Sequence, residues 1–186
     1  VEIILSSVRP VDFLAGKILG NSIIGFLATL LILGGGAISL AATGLASDIE
    51  LDYGLVAVLL VGEILGLLFF GSLYAAAGSM VQRTEDLQST QAPILFLIMA
   101  TGYVPMFGWA HLDATWMQVM TWLPPVSMLV APMQVAGGNL SWLGLLASYV
   151  LMAVVTALII ILVGRIYRRA ILNNGRKMTW RQALGK

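Results

Sequence analysis

Long runs of apolar residues, each about as long as a bilayer is thick, dominate the pattern along the chain. Residues 18–47 carry no charge, and about 20 apolar residues suffice to cross the hydrocarbon core. Further apolar runs cover residues 55–82, 91–110 and 142–164. The pattern therefore predicts four membrane-spanning helices, the first of them over residues 18–46.

Three consecutive glycines, Gly34, Gly35 and Gly36, interrupt the first predicted span. Glycine lowers helix propensity by about 1 kcal/mol relative to alanine. In membrane helices, small residues allow a neighbouring helix to approach closely. We interpret the three glycines as a packing site rather than as a functional break in the helix.

The segment 112–141 differs from the four spans because it is more polar and is interrupted by proline and glycine. It contains three prolines and a pair of glycines, although residues 126–135 are apolar. Proline removes a helical hydrogen bond and clashes with the preceding turn. We predict short helices here that dip into the outer leaflet or lie on it.

The composition agrees with a membrane protein. The chain has 186 residues, of which 59% are hydrophobic and 10% charged, and its mean hydropathy is +0.95. A soluble domain carries about 25% charged residues. We therefore expect an all-α integral membrane protein, a bundle of four transmembrane helices.

The distribution of Lys and Arg predicts the orientation. Of ten basic residues, seven lie in the tail over residues 165–186, Arg9 and Lys17 precede the first span, and Arg83 lies between the second and third. By the positive-inside rule, both ends of the sequence and the Arg83 loop are cytoplasmic. The basic tail also suits contact with anionic lipid. Four tryptophans fall near the opposite end, as an interfacial belt would: Trp109, Trp116, Trp122 and Trp142.

Residues 1–17 form an amphipathic segment ahead of the first span, in which charges of both signs alternate with apolar side chains. Such a segment can lie in the headgroup region or dock into a groove on a partner. A helix that lies on lipid is usually richer in Lys and Arg on its polar face. The mixed charge favours a partner.

Several kinds of chemistry are excluded by missing residues. The chain has no cysteine and one histidine, His111, which excludes disulfides, thiolate metal sites and multi-histidine metal sites. No GxxxxGK[ST] or HExxH run is present, and no GxSxG run. An intramembrane hydrolase would have to pair Ser72, Ser79 or Ser89 with His111, and their spacing gives this no support. We expect no cofactor on this chain and no nucleic-acid partner.

Glu63 is the unusual residue, because it lies within the second predicted span. A carboxylate in hydrocarbon costs about 2.5–3.5 kcal/mol on insertion scales and therefore faces the bundle or a cavity. It could contact a cation or substrate on a translocation path. It could equally be a protonated or hydrogen-bonded group at a helix interface, or lie close enough to the headgroups to reach water. Small residues on the same span, from Gly62 to Ser79, indicate close helix packing.

Four blocks of residues, in order along nearly the whole chain, carry a resemblance to a known family. They are Glu2, residues 5–10, Gly16 and Lys17; residues 71–73, 75–79 and 84–86 with Gln88 and Pro93; Pro125, Ser127 and Pro132 ahead of Trp142; and Tyr167, Arg168, Ile171, Leu172 and Gly175. The sequence resembles the membrane (permease) subunit of type-2 ABC transporters, in particular those of the sodium-efflux type. Met128 and Gln134 depart from the family pattern, in which a proline and an arginine are usual.

The resemblance implies that residues 1–17 include a cytoplasmic coupling helix that inserts into a separate ATPase subunit. On that surface we place Arg9 and Asp12 as charged contacts. Three apolar residues, Val8, Phe13 and Leu14, would pack there, and Pro10 would begin the helix. Glu2 and Lys17 could instead pair within the chain.

The resemblance also implies that the four spans are the last four of a six-span subunit, with re-entrant outer helices over 112–141. Because the sequence opens without Met, we expect further spans to precede it. A second permease copy and membrane lipid are the other expected partners. The expected location is a prokaryotic plasma membrane.

Two hypotheses for function follow. The first is the permease subunit of an ATP-driven exporter, with ATP hydrolysed on the partner subunit and no catalysis on this chain. The alternative is a self-sufficient ion-coupled secondary transporter or channel that uses Glu63. Secondary carriers usually contain inverted repeats, and no such internal symmetry is apparent in this sequence.

Overall fold

The computed structural model describes residues 10–44, 52–81 and 84–172. Within these residues the chain forms six helices and no strand. In chain order they are α1 (Pro10–Thr43), α2 (Tyr53–Met80), α3 (Thr84–Gly108), α4 (Thr115–Met120), α5 (Ser127–Ala136) and α6 (Trp142–Leu172). The predicted all-helical membrane fold is confirmed, since α1, α2, α3 and α6 are each long and apolar enough to cross a bilayer.

Helix α1 begins earlier than the predicted first span. It runs unbroken from Pro10, so the predicted boundary between residues 17 and 18 does not coincide with a break in the helix. Proline suits the first helical position, where its missing N–H would lack a partner in any case. No proline follows in α1 to end the helix, and Asp12 and Lys17 are tolerated within it.

Helix α2 is the centre of the bundle. It contacts α1, α3, α5 and α6, most extensively α6. Its buried positions are mostly small, which brings backbones close together: Gly62, Gly66, Phe69, Ser72, Ala76, Ala77 and Met80. The packing function predicted for the small residues of this span is confirmed for Gly62, Gly66, Ser72, Ala76 and Ala77. At its start, Asp52 accepts hydrogen bonds from the amides of Gly54 and Leu55, at 2.8 and 3.1 Å.

Helix α1 packs through one face, over about its first half. Leu14 and Ile18 join Ala76 of α2 and Val163 of α6 in a buried cluster. Farther along, Leu31, Ile32 and other apolar side chains are exposed, and nothing lies within 4 Å of a Cβ built at any of residues 34–36. Among the described residues, therefore, no helix packs against the three glycines.

The predicted outer segment folds into α4 and α5, and α5 lies among α2, α3 and α6. Val130 and Ala131 of α5 are fully buried. One hydrogen bond attaches the segment to α6, since the Ser148 hydroxyl donates to the carbonyl of Thr121 at 2.6 Å. A second lies within the segment, where the amide of the Gln134 side chain donates to the carbonyl of Leu112 at 2.9 Å. α5 is thus an interior helix.

The hydroxyl of Tyr149 on α6 connects three helices. It lies 3.1 Å from the carbonyl oxygen of Val58 on α2 and 3.1 Å from that of Met128 on α5, so its single hydrogen is shared between them. Within a helix, the carbonyl of Met128 would accept from the residue four positions on. That residue is Pro132, which has no N–H. Tyr149 therefore satisfies a carbonyl that the proline leaves open.

Gly62 and Gly66 provide the space for this connection. A Cβ on Gly62 would lie 2.8 Å from the carbonyl oxygen of Met128 and would collide with the Tyr149 hydroxyl. A Cβ on Gly66 would collide with the sulfur of Met128. The two glycines form a notch in α2 that receives α5 and the end of the Tyr149 side chain.

We predict that Gly62→Ala destabilises the protein by about 1–3 kcal/mol, the usual cost of an extra methyl group in a packed site. The matched control is Gly78→Ala on the same helix, where nothing lies within 4 Å of the added Cβ. The control should be neutral or stabilising by up to about 1 kcal/mol, because alanine favours helix. Thermal unfolding in detergent measures the stability of both variants. Equal unfolding temperatures would contradict the close packing at Gly62.

Candidate functional site: a groove between α1 and α2

A cavity of about 750 Å³ follows the line where α1 meets α2, and α5 borders it through Met128 and Leu129. On α2 its lining extends from Val56 to Ala75. At 1.5 Å per residue this is about 28 Å, close to the roughly 30 Å of a hydrocarbon core. Sites for small molecules have volumes of about 300–1,000 Å³, so the groove is large enough to hold a ligand.

The register between α1 and α2 follows from two close approaches. A Cβ on Gly71 of α2 would lie 3.7 Å from Ile18 and 3.8 Å from the Ser22 hydroxyl, and a Cβ on Gly25 of α1 would lie 3.0 Å from Leu67. Residue numbers rise along α1 as they fall along α2, so the helices are antiparallel. On α1, Ile18, Ser22 and Gly25 are spaced three or four residues apart, which places them on one face of the helix.

The structure places Glu63 in the groove. It lies ten residues from the start of α2 at Tyr53, about 15 Å along the axis, and its side chain is half-buried. By the register of Gly25 against Leu67, it lies level with Thr29, which also lines the groove. Glu63 has neither an ion pair nor a hydrogen bond with any residue in the described part of the chain.

Ser22 is a second polar residue of the groove, and the sequence analysis did not single it out. It is 9% exposed and lines the groove, and its hydroxyl has no hydrogen-bond partner among the described side chains and backbone. Serine is common in membrane helices, so its type carried no signal. The signal that could have found it is the i, i+4 spacing from Ile18, on the face of α1 that meets α2.

Lys17 lies at the other end of the groove from Val56 and is exposed. Its suggested partner in the sequence, Glu2, lies outside the described residues. The groove therefore has the basic side chain of Lys17 near one end and the carboxyl group of Glu63 near its middle. Between them the lining of α2 is mostly apolar, with Leu67 and Phe70.

The predicted ATPase-docking residues have different locations. Val8 and Arg9 lie outside the described residues, and Pro10 begins α1. Asp12 is exposed and Phe13 is 49% exposed.

Leu14 differs from its neighbours because it is 3% exposed and belongs to the cluster with Ile18 and Val163. It shares the inward face of α1 with Ile18, four residues on. In this structure Leu14 packs within its own chain, so Asp12 and Phe13 are the described side chains that could meet a partner.

Within the described residues, the structure does not place a serine hydroxyl next to His111 as a hydrolase would require. The hydroxyls of Ser72 and Ser79 donate to carbonyls of their own helix, at 2.7 Å each. His111 follows the end of α3, while Ser89 lies near the start of that helix. No group of three acidic, histidine or cysteine side chains that could hold a metal occurs in the described ranges.

The fold defines a helical membrane protein with four helices long enough to span a bilayer. Residues 1–165 match the family described as ABC-2 family transporter protein, and the chain belongs to that family. It is similar to the uncharacterized protein YhaP of Bacillus subtilis (strain 168), with 28% identity over 134 residues, covering 67% of this chain and 32% of YhaP. The chain thus spans about a third of the length of that relative. No solved structure matches it significantly.

We predict that Leu14→Ala lowers the free energy of unfolding by about 2–5 kcal/mol, as for other buried leucines. The matched variant Phe13→Ala should change it by under about 1 kcal/mol, because the larger side chain is half exposed and lies outside the cluster. Unfolding in detergent compares the two. A larger loss for Phe13→Ala than for Leu14→Ala would show that the inward face of α1 is assigned incorrectly.

Proposed function

We propose that this chain is the permease subunit of an ATP-driven exporter, which forms the translocation path and couples to a separate ATPase subunit. The observation that carries the proposal is the unbroken helix α1, which joins the exposed Asp12 and Phe13 to the groove with Glu63. A rigid helix transmits a displacement at one end along its length. Membership of the ABC-2 family supports the rest.

The coupling step uses the first turns of α1. ATP binding closes the nucleotide-binding subunits, and a segment docked on them moves as a rigid body. Because α1 contacts the bundle through one face and is exposed on its others, it can move relative to α2. The groove between these two helices is the part of the bundle that such a movement changes most.

The proposed orientation places the start of α1 and the end of α6 in the cytoplasm, with α4 and α5 at the outer end. The distribution of Lys and Arg supports this orientation. The exposed tryptophans at the α4–α5 end suit a membrane interface. Apolar side chains cover the outside of the bundle, and lipid and a second permease copy are their proposed partners.

The test is affinity purification of the full chain from its native membrane in mild detergent, followed by an ATPase assay. We expect an ATPase subunit to co-purify. Replacing Arg9 and Asp12 by alanine should reduce the retained ATPase at least fivefold, because both charged contacts are lost. Asp113→Ala is the control, since this exposed residue lies at the other end of the bundle and should retain the subunit.

Two results would contradict the proposal. One is a chain that purifies alone and shows no nucleotide-dependent activity in the presence of the membrane extract. The other is unchanged association and unchanged ATP hydrolysis in the double variant, which would place the docking surface elsewhere. In the first case, transport driven by an ion gradient through Glu63 becomes the hypothesis to test.

A further inference from the structure

We propose that the groove between α1 and α2 binds a cationic amphiphile with a single positive charge. Its ammonium group lies at Glu63, its apolar body along Leu67 and Phe70, and a hydrogen-bonding group at Ser22. This inference rests on the proposed function in one respect, since the bound amphiphile would be the transported substrate. Its test uses binding alone, without ATP or a partner subunit.

The charge of the ligand follows from Glu63. A carboxyl group accepts hydrogen bonds through its oxygens, and that of Glu63 lines a mostly apolar groove without a partner in the described part of the chain. An ammonium group supplies both a compensating charge and N–H donors, and such charge-assisted hydrogen bonds are strong. The carboxylate therefore selects a cationic group that carries N–H donors.

The lining distinguishes an organic cation from a metal ion. A hard cation takes six or more oxygen ligands, and the described residues contain no cluster of three acidic side chains or other metal ligands. Around Glu63 the groove presents Leu59, Leu60 and Leu67. Its volume of about 750 Å³ is that of a site for an organic molecule. The ligand is therefore an amphiphile with an apolar body.

The second polar point is the hydroxyl of Ser22, which is buried and has no partner among the described groups. It lies against Gly71, eight residues along α2 from Glu63, or about 12 Å at 1.5 Å per residue. A serine hydroxyl both donates and accepts. A polar group of the ligand, such as an amide or a sulfonamide, would satisfy it at that distance from the ammonium.

Lys17 limits the ligand to one positive charge. It lines the groove beyond Ser22, and a second ammonium placed there would meet a like charge. A dication of matching length is therefore disfavoured. The exposed apolar flank of α1 gives a ligand dissolved in the bilayer access to the groove from the side.

The experiment measures probe binding to the full chain in nanodiscs of phosphatidylcholine at pH 7, without nucleotide, with empty nanodiscs subtracted. The probe is monodansylcadaverine, in which a dansyl sulfonamide is joined to a primary ammonium. The matched neutral probe is N-pentyl dansylamide, which lacks the ammonium. Dansyl fluorescence reports both. The unaltered protein should bind the amine at least tenfold more tightly than the neutral probe.

Variants separate the two polar contacts. Glu63→Gln keeps the shape of the side chain. It should lower the affinity for the amine at least tenfold, while the affinity for the neutral probe changes less than twofold. Ser22→Ala should lower the affinity for both probes alike, about threefold, because both probes carry the sulfonamide. Asp113→Asn is the control, an exposed carboxylate at the other end of the bundle, and should leave both probes unchanged.

Equal affinity of the unaltered protein for the two probes would overturn the proposal, and this comparison needs no variant. An equal loss of affinity for both probes in Glu63→Gln would overturn it as well, since the glutamate would then support the fold rather than bind the ammonium group. The outcome is independent of the ATPase test. A protein can bind the amine through Glu63 without an ATPase subunit, or couple to one without binding the amine.

Discussion

The hydrogen bond of Tyr149 to the carbonyls of Val58 and Met128 is the interaction on which the arrangement of α2, α5 and α6 depends. In a membrane every backbone polar group needs a partner inside the protein, and Pro132 leaves the carbonyl of Met128 without its helical amide. The phenol supplies the missing donor. It can do so only because Gly62 has no side chain at that point. One polar contact and one absent methyl group thus hold α5 inside the bundle.

The bundle consequently has two parts with different attachment. α2, α5 and α6 are joined by the notch and the Tyr149 hydroxyl, and the bond from Ser148 to Thr121 attaches the end of α4 to α6. α1 packs against the bundle through one face, and its other faces are exposed. The groove lies between the two parts, and its lining includes Glu63. In the proposed mechanism, movement of α1 alters the groove while the α4–α5 end stays fixed.

The sequence predicted the features that depend on local composition. The four spans followed from apolar length, and Glu63 was recognised because a charge in an apolar run is costly. Features that depend on register between distant helices were not predicted. Tyr149 and its partner Val58 are 91 positions apart, and the burial of Ser22 requires α1 to meet α2 at Gly71. The inward orientation of Leu14 depends in the same way on where α1 meets α2 and α6, because it packs with Ala76 and Val163.

In the proposed mechanism, the exposed start of α1 meets an ATPase subunit. A benzophenone can be placed at one chosen position by incorporating p-benzoylphenylalanine during synthesis of the chain. Ala15 lies beside Asp12 and Phe13 and is exposed, and Ala110 is exposed at the other end of the bundle. Photolysis of native membranes that carry p-benzoylphenylalanine in place of Ala15 should give a covalent product with a nucleotide-binding subunit, and the same replacement of Ala110 should give none. Absence of that product from position 15, or its formation from position 110, would contradict the account.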